Sequence, residues 1–246
     1  MTKKGHKRAE SVLEIFNALG ISSERLNKDI NGLPKLLTRS PAAIFRLVAF
    51  LSGEEVRMPL YKVADILKRD DCVPLLDVVA PAKEQLRTMT PSHATANAPT
   101  KTNVDDCLPR QRVSVAYKQM QHTANVLKYE IGTEDLGKVI GAYPSVLLLD
   151  AEDVVLPRAR YLMDGLGIRS DDIPNVLQSY PYLMAKGIDE MQRVVDFLSE
   201  QGVSPDHLSS IIRAFPALLM MEVADMKKVV DFLEEVGISN VGRFIT

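Results

Sequence analysis

Apolar positions along this chain keep helical spacing, and the pattern itself recurs at a fixed interval. Val194-Val195-Asp196-Phe197-Leu198 returns unchanged 35 residues later as Val229-Val230-Asp231-Phe232-Leu233. Four glycines share the same register: Gly132, Gly167, Gly202 and Gly237. A period of about 20 to 50 residues is typical of stacked supersecondary units, each of which needs a neighbour to bury its apolar face. The pattern therefore predicts a repeat protein.

One copy of the repeat indicates which elements each unit contains. Ser204-Pro205-Asp206 has the serine N-cap, the proline at the first helical position and the early acid that begin a helix. Pro216 ends this helix near Phe215, because the residue before a proline disfavours helical backbone. Apolar residues from 223 to 233 then predict a second helix, and the glycine after it, Gly237, suits a left-handed C-terminal position. The predicted unit is all-helical: helix, proline turn, helix, glycine.

The prolines support this register independently of the glycines. Pro144, Pro181 and Pro216 each follow an aromatic residue and precede an x-apolar-apolar sequence. Their spacings are 37 and 35 residues. The glycines and the prolines thus predict the same repeating unit.

These motifs resemble the mitochondrial transcription termination factor (mTERF) family, whose repeat pairs a short helix ending in x-Pro-x-Leu-Leu with a helix opening Leu-Pro-Arg and closing in Tyr/Phe-Leu-x-x-x-Gly. Residues 156–167 follow this pattern, with one extra residue between Leu162 and Gly167. The resemblance implies an α-solenoid superhelix of about 35-residue repeats. It also implies binding to double-stranded DNA or RNA in a mitochondrion or chloroplast and a role in organellar gene expression, such as transcription regulation or termination. It does not decide whether the target is DNA or RNA, which sequence is bound or which organelle is involved.

The pentatricopeptide family is the main rival, because it also has a helical repeat of 35 residues. Its helices are joined through Gly-x-x-Pro-Asp, much as in Gly202-Val203-Ser204-Pro205-Asp206. This likeness occurs once in the chain. A proline that closes the first helix in three successive repeats is foreign to that family, so the pattern favours the mTERF-type repeat.

The repeat signal divides the chain into three predicted regions. Residues 107–246 form the repeat array, with an incomplete last repeat, and residues 1–88 form an N-terminal helical region with degenerate repeats. Within the latter, residues 55–59 echo residues 153–157. Residues 89–106 lack apolar periodicity and are rich in Thr, Ala, Pro and Asn, which predicts a flexible linker or loop.

Composition predicts a soluble chain with no membrane span. Of its residues 46% are hydrophobic and 25% charged, and no apolar run approaches the roughly 18 residues of a spanning helix. The two cysteines, Cys72 and Cys107, provide no disulfide framework and are expected to be ordinary thiols. The basic start of the chain is followed by acids, so no targeting peptide is visible, and localisation to an organelle rests on the resemblance alone.

Motifs of enzyme chemistry are lacking in the sequence. It has no nucleotide-binding glycine fingerprint, no His-Glu-x-x-His and no Cys-x-x-Cys. We therefore expect no enzyme activity, no cofactor, no metal and no small-molecule substrate. The paired acids Glu134-Asp135 and Asp171-Asp172 lie at predicted helix starts, where they complement the helix dipole.

Two sets of cations are candidates for contacting nucleic acid. Arg158, Arg193 and Lys228 each lie nine residues before a repeat glycine, where the first unit has Thr123. Stacked repeats would align these cations in a ladder along a phosphate backbone. The second set comes from the two Leu-Pro-Arg-x-Arg segments and consists of Arg110, Arg112 and Arg160.

The charge of the repeat region keeps a second function open. Residues 110–246 hold 14 basic and 19 acidic residues, a net charge of −5. Asp189 and Asp225 lie four and three residues before Arg193 and Lys228, spacings that form ordinary helix-surface ion pairs. The alternative is a helical-repeat scaffold that binds a protein or peptide.

Three further expectations concern individual positions. Apolar residues at 236, 241, 244 and 245 would border an open C-terminal end, which we interpret as a candidate site for a protein partner. Leu198 and Leu233 should be equivalent buried positions of the repeat core. Lys186, in a predicted turn, should tolerate substitution.

Overall fold

The protein is described here from a computed structural model that covers residues 13–15, 17, 39–80 and 115–238. In these ranges the ordered elements are helices, with no strand among them. The all-helical prediction is therefore confirmed, whereas the superhelical arrangement of the repeats stays a prediction. None of the helices in these ranges is long and apolar enough to cross a bilayer. The predicted linker at 89–106 lies outside them.

The chain divides into two compact units, which do not follow the chain in simple order. The first contains Met1–Ser52 and Pro59–Gln119, and the second contains Gly53–Met58 and Met120–Thr246. A short segment of the N-terminal half thus belongs to the repeat-bearing unit.

The described part of the first unit is helical. It contains α1 (Pro41–Ser52), α2 (Leu60–Leu67), a 3₁₀ turn (Asp70–Cys72) and α3 (Val73–Val79). Helix α4 (Val115–Asn125) begins in this unit and continues into the second. In α1, the apolar residues Ile44, Leu47 and Leu51 recur at three- and four-residue spacing and are fully buried. The adjacent Leu75 and Leu76 of α3 are also fully buried, and these five residues belong to the core.

The second unit repeats one arrangement of elements. Helix α4 ends in a π-helical turn (Val126–Glu130) and is followed by α5 (Leu136–Ala142), a 3₁₀ turn (Pro144–Leu148) and a long helix made of Ala151–Val155, α6 (Leu156–Arg160) and Tyr161–Gly165. The next repeat has a 3₁₀ turn (Ser170–Asp172), α7 (Ile173–Ser179), a 3₁₀ turn (Pro181–Ala185) and α8 (Ile188–Glu200). The last has α9 (Pro205–Ala214), a 3₁₀ turn (Pro216–Met220) and α10 (Val223–Glu235). The predicted helix, proline turn, helix unit is confirmed.

All four register glycines take the left-handed conformation predicted for them. The φ angles are 83° at Gly132, 66° at Gly167, 86° at Gly202 and 91° at Gly237. After α8, the N–H of Val203 donates to the carbonyl of Leu198 at 3.1 Å and that of Gly202 donates to Ser199 at 3.0 Å. This pair of bonds satisfies the last carbonyls of the helix and requires positive φ at the glycine.

The extra residue between Leu162 and Gly167 is accommodated by a π-helical turn. The N–H of Leu166 donates to the carbonyl of Tyr161 at 3.2 Å, five residues back, instead of the usual four. Consequently Leu162 lies five residues before its glycine, whereas Leu198 lies four before Gly202. Both leucines are buried, so the core register and the glycine register differ by one residue between these repeats.

Two local predictions are wrong in detail. The helix that contains Leu156 begins earlier, at Ala151, because the Asp150 carboxylate accepts hydrogen bonds from the N–H groups of Glu152 and Asp153 at 3.0 and 2.9 Å and caps it there. Residues 55–59 do not repeat the helix at 153–157. They form a turn with Arg57 at a φ of 54°, which no helix contains.

That turn is attached to the second unit through polar and apolar contacts. The ammonium of Lys128 donates to the carbonyls of Glu54 and Glu55 at 3.2 and 2.6 Å. The side chains of Val56 and Met58 are buried. A side chain at Gly137 would meet the carbonyl of Val56 at 3.7 Å, which shows how closely α5 approaches the turn.

Candidate nucleic-acid interface

Arg193 and Lys228 occupy equivalent positions on the second helices of successive repeats. Arg193 lies five residues before Leu198, and Lys228 lies five before Leu233. Both side chains are exposed. Arg193 donates from Nε to the carbonyl of Asp189 at 3.4 Å, and Lys228 pairs with Asp225 at 2.7 Å. These two residues therefore face solvent in the same way.

Arg158 does not share this face, although it has the same distance from its glycine. Counted from the core leucine, Arg158 is equivalent to Val194, which is 1% exposed. Its half-buried guanidinium donates to the carbonyl of Met184 in the next repeat. Burial lowers the pKa of Arg158, and the nearby Tyr143 and Glu190 partly oppose this. The π-helical turn thus rotates Arg158 out of the row formed by Arg193 and Lys228.

Arg160 takes the place of Arg158 on the solvent face. It is exposed and lies two residues before Leu162. With about 100° of rotation per residue, its direction differs from that of Arg193 by roughly 60° once the repeats are aligned on their leucines. Of the other candidates, Arg110 and Arg112 lie outside the described residues.

The face that carries these cations has mixed charge. Acidic residues alternate with the cations along the second helices: Asp164, Asp196, Glu200, Asp231 and Glu235 are all exposed. The amide of Gln192 donates to the carboxylate of Asp196 at 2.7 Å. Phosphate binding here would depend on individual cations, since no continuous basic surface runs along these helices.

A more acidic cleft is lined in part by α7, the first helix of its repeat. A cleft of about 520 Å³ is lined by Glu130, Glu134, Asp171, Pro174, Asn175 and Gln178, among others. The acids at 134–135 and 171–172 lie at helix starts, as predicted, and the Asp135 carboxylate accepts the N–H of Lys138 at 3.0 Å. In the described ranges, no cluster of three or more His, Cys, Asp or Glu side chains is arranged to hold a metal ion. The three acids at the cleft make it unfavourable for phosphate.

A separate set of polar contacts joins successive repeats and was not predicted from the sequence. The hydroxyl of Thr123 donates to the carbonyl of Leu149 at 2.8 Å, and the ammonium of Lys186 donates to that of Met221 at 3.2 Å. Arg158 makes the corresponding bond to Met184. Each donor thus reaches the end of the following proline turn, where 3₁₀ carbonyls lack helical partners. Lys186 is 8% exposed and lies 3.7 Å from the carboxylate of Glu222.

Comparison with known proteins agrees with the architecture. The mTERF family model matches residues 125–244, a range that contains the three proline turns and all four register glycines. The resemblance inferred from the sequence is therefore confirmed for this region. At the level of the family, the match indicates a regulator that binds nucleic acid in organelles. No curated protein matches the chain.

Proposed function

We propose that this protein binds nucleic acid and regulates gene expression or transcription in a mitochondrion or chloroplast, because the mTERF family model matches residues 125–244. The observation that supports this proposal most strongly is the family match together with exposed cations on successive second helices. The proposed phosphate contacts are Arg160, Arg193 and Lys228. Arg110 and Arg112 remain candidates from the sequence.

The exposed cations are available for phosphate at small cost. No acidic side chain in the described part of the chain forms an ion pair with Arg160 or Arg193. Lys228 has Asp225 as a partner, but both side chains are more than half exposed. Exposed ion pairs of this kind contribute about 0 to 1 kcal/mol, so exchange of the carboxylate for a phosphate is feasible.

The test is a charge reversal of the three proposed contacts. In the Arg160→Glu, Arg193→Glu, Lys228→Glu variant, the slope of log affinity against log salt should flatten by roughly 0.9 per lost contact on duplex DNA and roughly 0.7 on single strands. Affinity should fall for all sequences alike, since phosphate contacts carry no direct base readout. Circular dichroism should show unchanged helicity.

The matched control reverses three other exposed cations of the same region. Lys138, Arg169 and Arg213 each pair with an acid near the first helices, at distances of 3.6, 3.5 and 3.1 Å. Equal losses of affinity in the two triple variants would contradict the proposed interface. Arg158 is left unchanged in both variants. A change of Arg158 to glutamate would remove its hydrogen bond to Met184, and a loss of stability could then not be distinguished from a loss of binding.

The mixed charge of the second helices favours one alternative, a scaffold for a protein or peptide. This alternative would replace the proposal if the wild-type chain showed no salt-dependent binding to either DNA or RNA at low ionic strength. Crosslinking in the native compartment, followed by sequencing of the bound nucleic acid, would identify the target and distinguish DNA from RNA.

A further inference from the structure

Two identical sequence segments differ in environment at two of their apolar positions. Phe197 is 8% exposed and Val194 is 1% exposed, whereas their counterparts Phe232 and Val229 are 60% and 54% exposed. Helix α8 is covered by α9, α10 and the proline turn between them. In the described part of the chain, α10 has no following repeat against it. Val229 and Phe232 are therefore exposed to solvent, although Val194 and Phe197 are buried at the same positions of the preceding repeat.

The exposed apolar residues of α10 form one stripe. Val229, Phe232 and Val236 are separated by three and four residues, which places them on one side of the helix. All three are more than half exposed, at 54%, 60% and 58%. We call these three residues the α10 face. Contiguous apolar surface of this kind commonly marks an interaction site.

The charges around the α10 face of one copy are complementary to those of a second copy whose α10 packs antiparallel to the first. Lys227 and Lys228 lie in the first half of α10, and Glu234 and Glu235 lie in the second half. If a second α10 crosses the first in the opposite direction at Phe232, Lys228 of each copy lies on the same flank as Glu235 of the other, within about one residue of its level. Val229 of each copy lies in the same way beside Val236 of the other, on the other flank.

We propose that the α10 face is the contact between two copies of this chain, related by a two-fold axis near Phe232. Such an interface is isologous, because the same patch is used on both copies. It buries three apolar side chains from each copy and adds two symmetric Lys228–Glu235 pairs at the rim. One pair of helices of this length falls at the low end of specific interfaces, so the dissociation constant should be on the order of micromolar.

Sedimentation of the full chain over a wide concentration range, without nucleic acid, tests the proposal. The wild type should pass from monomer to dimer as concentration rises. Phe232→Asp should raise the dissociation constant on the order of 30-fold or more, because the substitution places a charge at the centre of the interface. Tyr129→Asp is the matched control, since Tyr129 is 69% exposed but lies outside the α10 face. It should dimerise like the wild type.

A charge swap tests the antiparallel direction. Lys228→Glu and Glu235→Lys should each weaken the dimer about fivefold, since each affects both symmetric rim pairs. The double variant should restore wild-type dimerisation. The two positions are seven residues apart, so about 10 Å of helix separates them within one copy, and the restoration must arise between copies.

Three outcomes would overturn the proposal. The first is a wild-type chain that stays monomeric at all concentrations, and the second is a dimer that Phe232→Asp leaves unchanged. The third is a monomer that dimerises only after residues 239–246 are deleted, which would assign the α10 face to the chain's own C-terminal segment. Because no nucleic acid is present, none of these results depends on the proposed function.

Discussion

The ammonium of Lys186 donates a hydrogen bond to the carbonyl oxygen of Met221, 35 residues further along the chain, at 3.2 Å. Lys186 ends one proline turn and Met221 ends the next, so the bond joins the same position of two adjacent repeats. Thr123 and Arg158 connect the preceding repeats in a similar way. These donors stabilise the stacking of one repeat on another.

Lys186→Met should therefore destabilise the protein, although a turn residue was expected to tolerate change. The substitution keeps an apolar stem but leaves the carbonyl of Met221 without its charged donor, and such bonds contribute about 1.5 to 3 kcal/mol. Urea unfolding monitored by circular dichroism measures the loss. Lys227→Met, at an exposed position of α10, should change stability by less than about 0.5 kcal/mol. Equal midpoints for the two variants would exclude the structural role of Lys186.

Leu198 and Leu233 should differ in their contribution to stability, despite their identical sequence context. Leu198 is 2% exposed, whereas Leu233 is only partly buried because α10 is not covered by a following repeat among the described residues. The expected equivalence of the two positions is therefore wrong. Leu198→Ala should cost about 2 to 5 kcal/mol, and Leu233→Ala clearly less. Thermal melts of the two variants below the dimerisation range decide the order, and a larger loss at Leu233 would be inconsistent with this structure.

Gly202→Val should destabilise the junction after α8 through the backbone alone. A Cβ at this position would meet no heavy atom within 4 Å, so space is not limiting, but the φ of 86° is strongly disfavoured for a β-branched residue. We expect a loss of roughly 1 to 2 kcal/mol. Gly141→Ala is the control, because Gly141 lies inside α5, also has open space and lacks positive φ. That substitution should be neutral or stabilising, and a melt in which both variants lose equally would contradict the argument.

Cys72 should resist alkylation in the folded protein. Burial, with a smaller contribution from Asp71, raises the pKa of its thiol from 9.0 to about 12. The thiol therefore stays protonated at pH 8 to 9, and only the thiolate reacts. Iodoacetamide labelling of a Cys107→Ser variant, followed by mass spectrometry, should show protection that urea removes. Rapid labelling of Cys72 in the native variant at pH 8 would contradict the expected protection.

Because of the same pKa shift, the free energy of unfolding should fall at alkaline pH. The folded chain holds this proton more tightly than the unfolded chain, so the contribution of the buried thiol is fully present below pH 9. It is lost as the pH rises from about 9 towards about 12. Cys72→Ala should remove this part of the pH dependence, and unfolding curves at several alkaline pH values measure the difference.

The sequence by itself determined the repeating unit of this protein. The glycines and prolines that end its helices act through local backbone geometry, which a few neighbouring residues define. Left-handed φ at Gly202 and the end of α9 before Pro216 were therefore predictable. The period of apolar residues likewise predicted that Leu198 belongs to the core.

Only the tertiary structure decided how side chains at repeated positions are used. Spacing from the glycine placed Arg158 in a row with Arg193, but one π-helical turn rotates it towards Met184. The extra residue between Leu162 and Gly167 was visible in the sequence, whereas the hydrogen bonds that accommodate it were not. Burial of Lys186 depends on the adjacent repeat. The same holds for Phe197 and Phe232, which are identical in sequence context and opposite in exposure, because burial is a property of what packs against a residue and not of the residue itself.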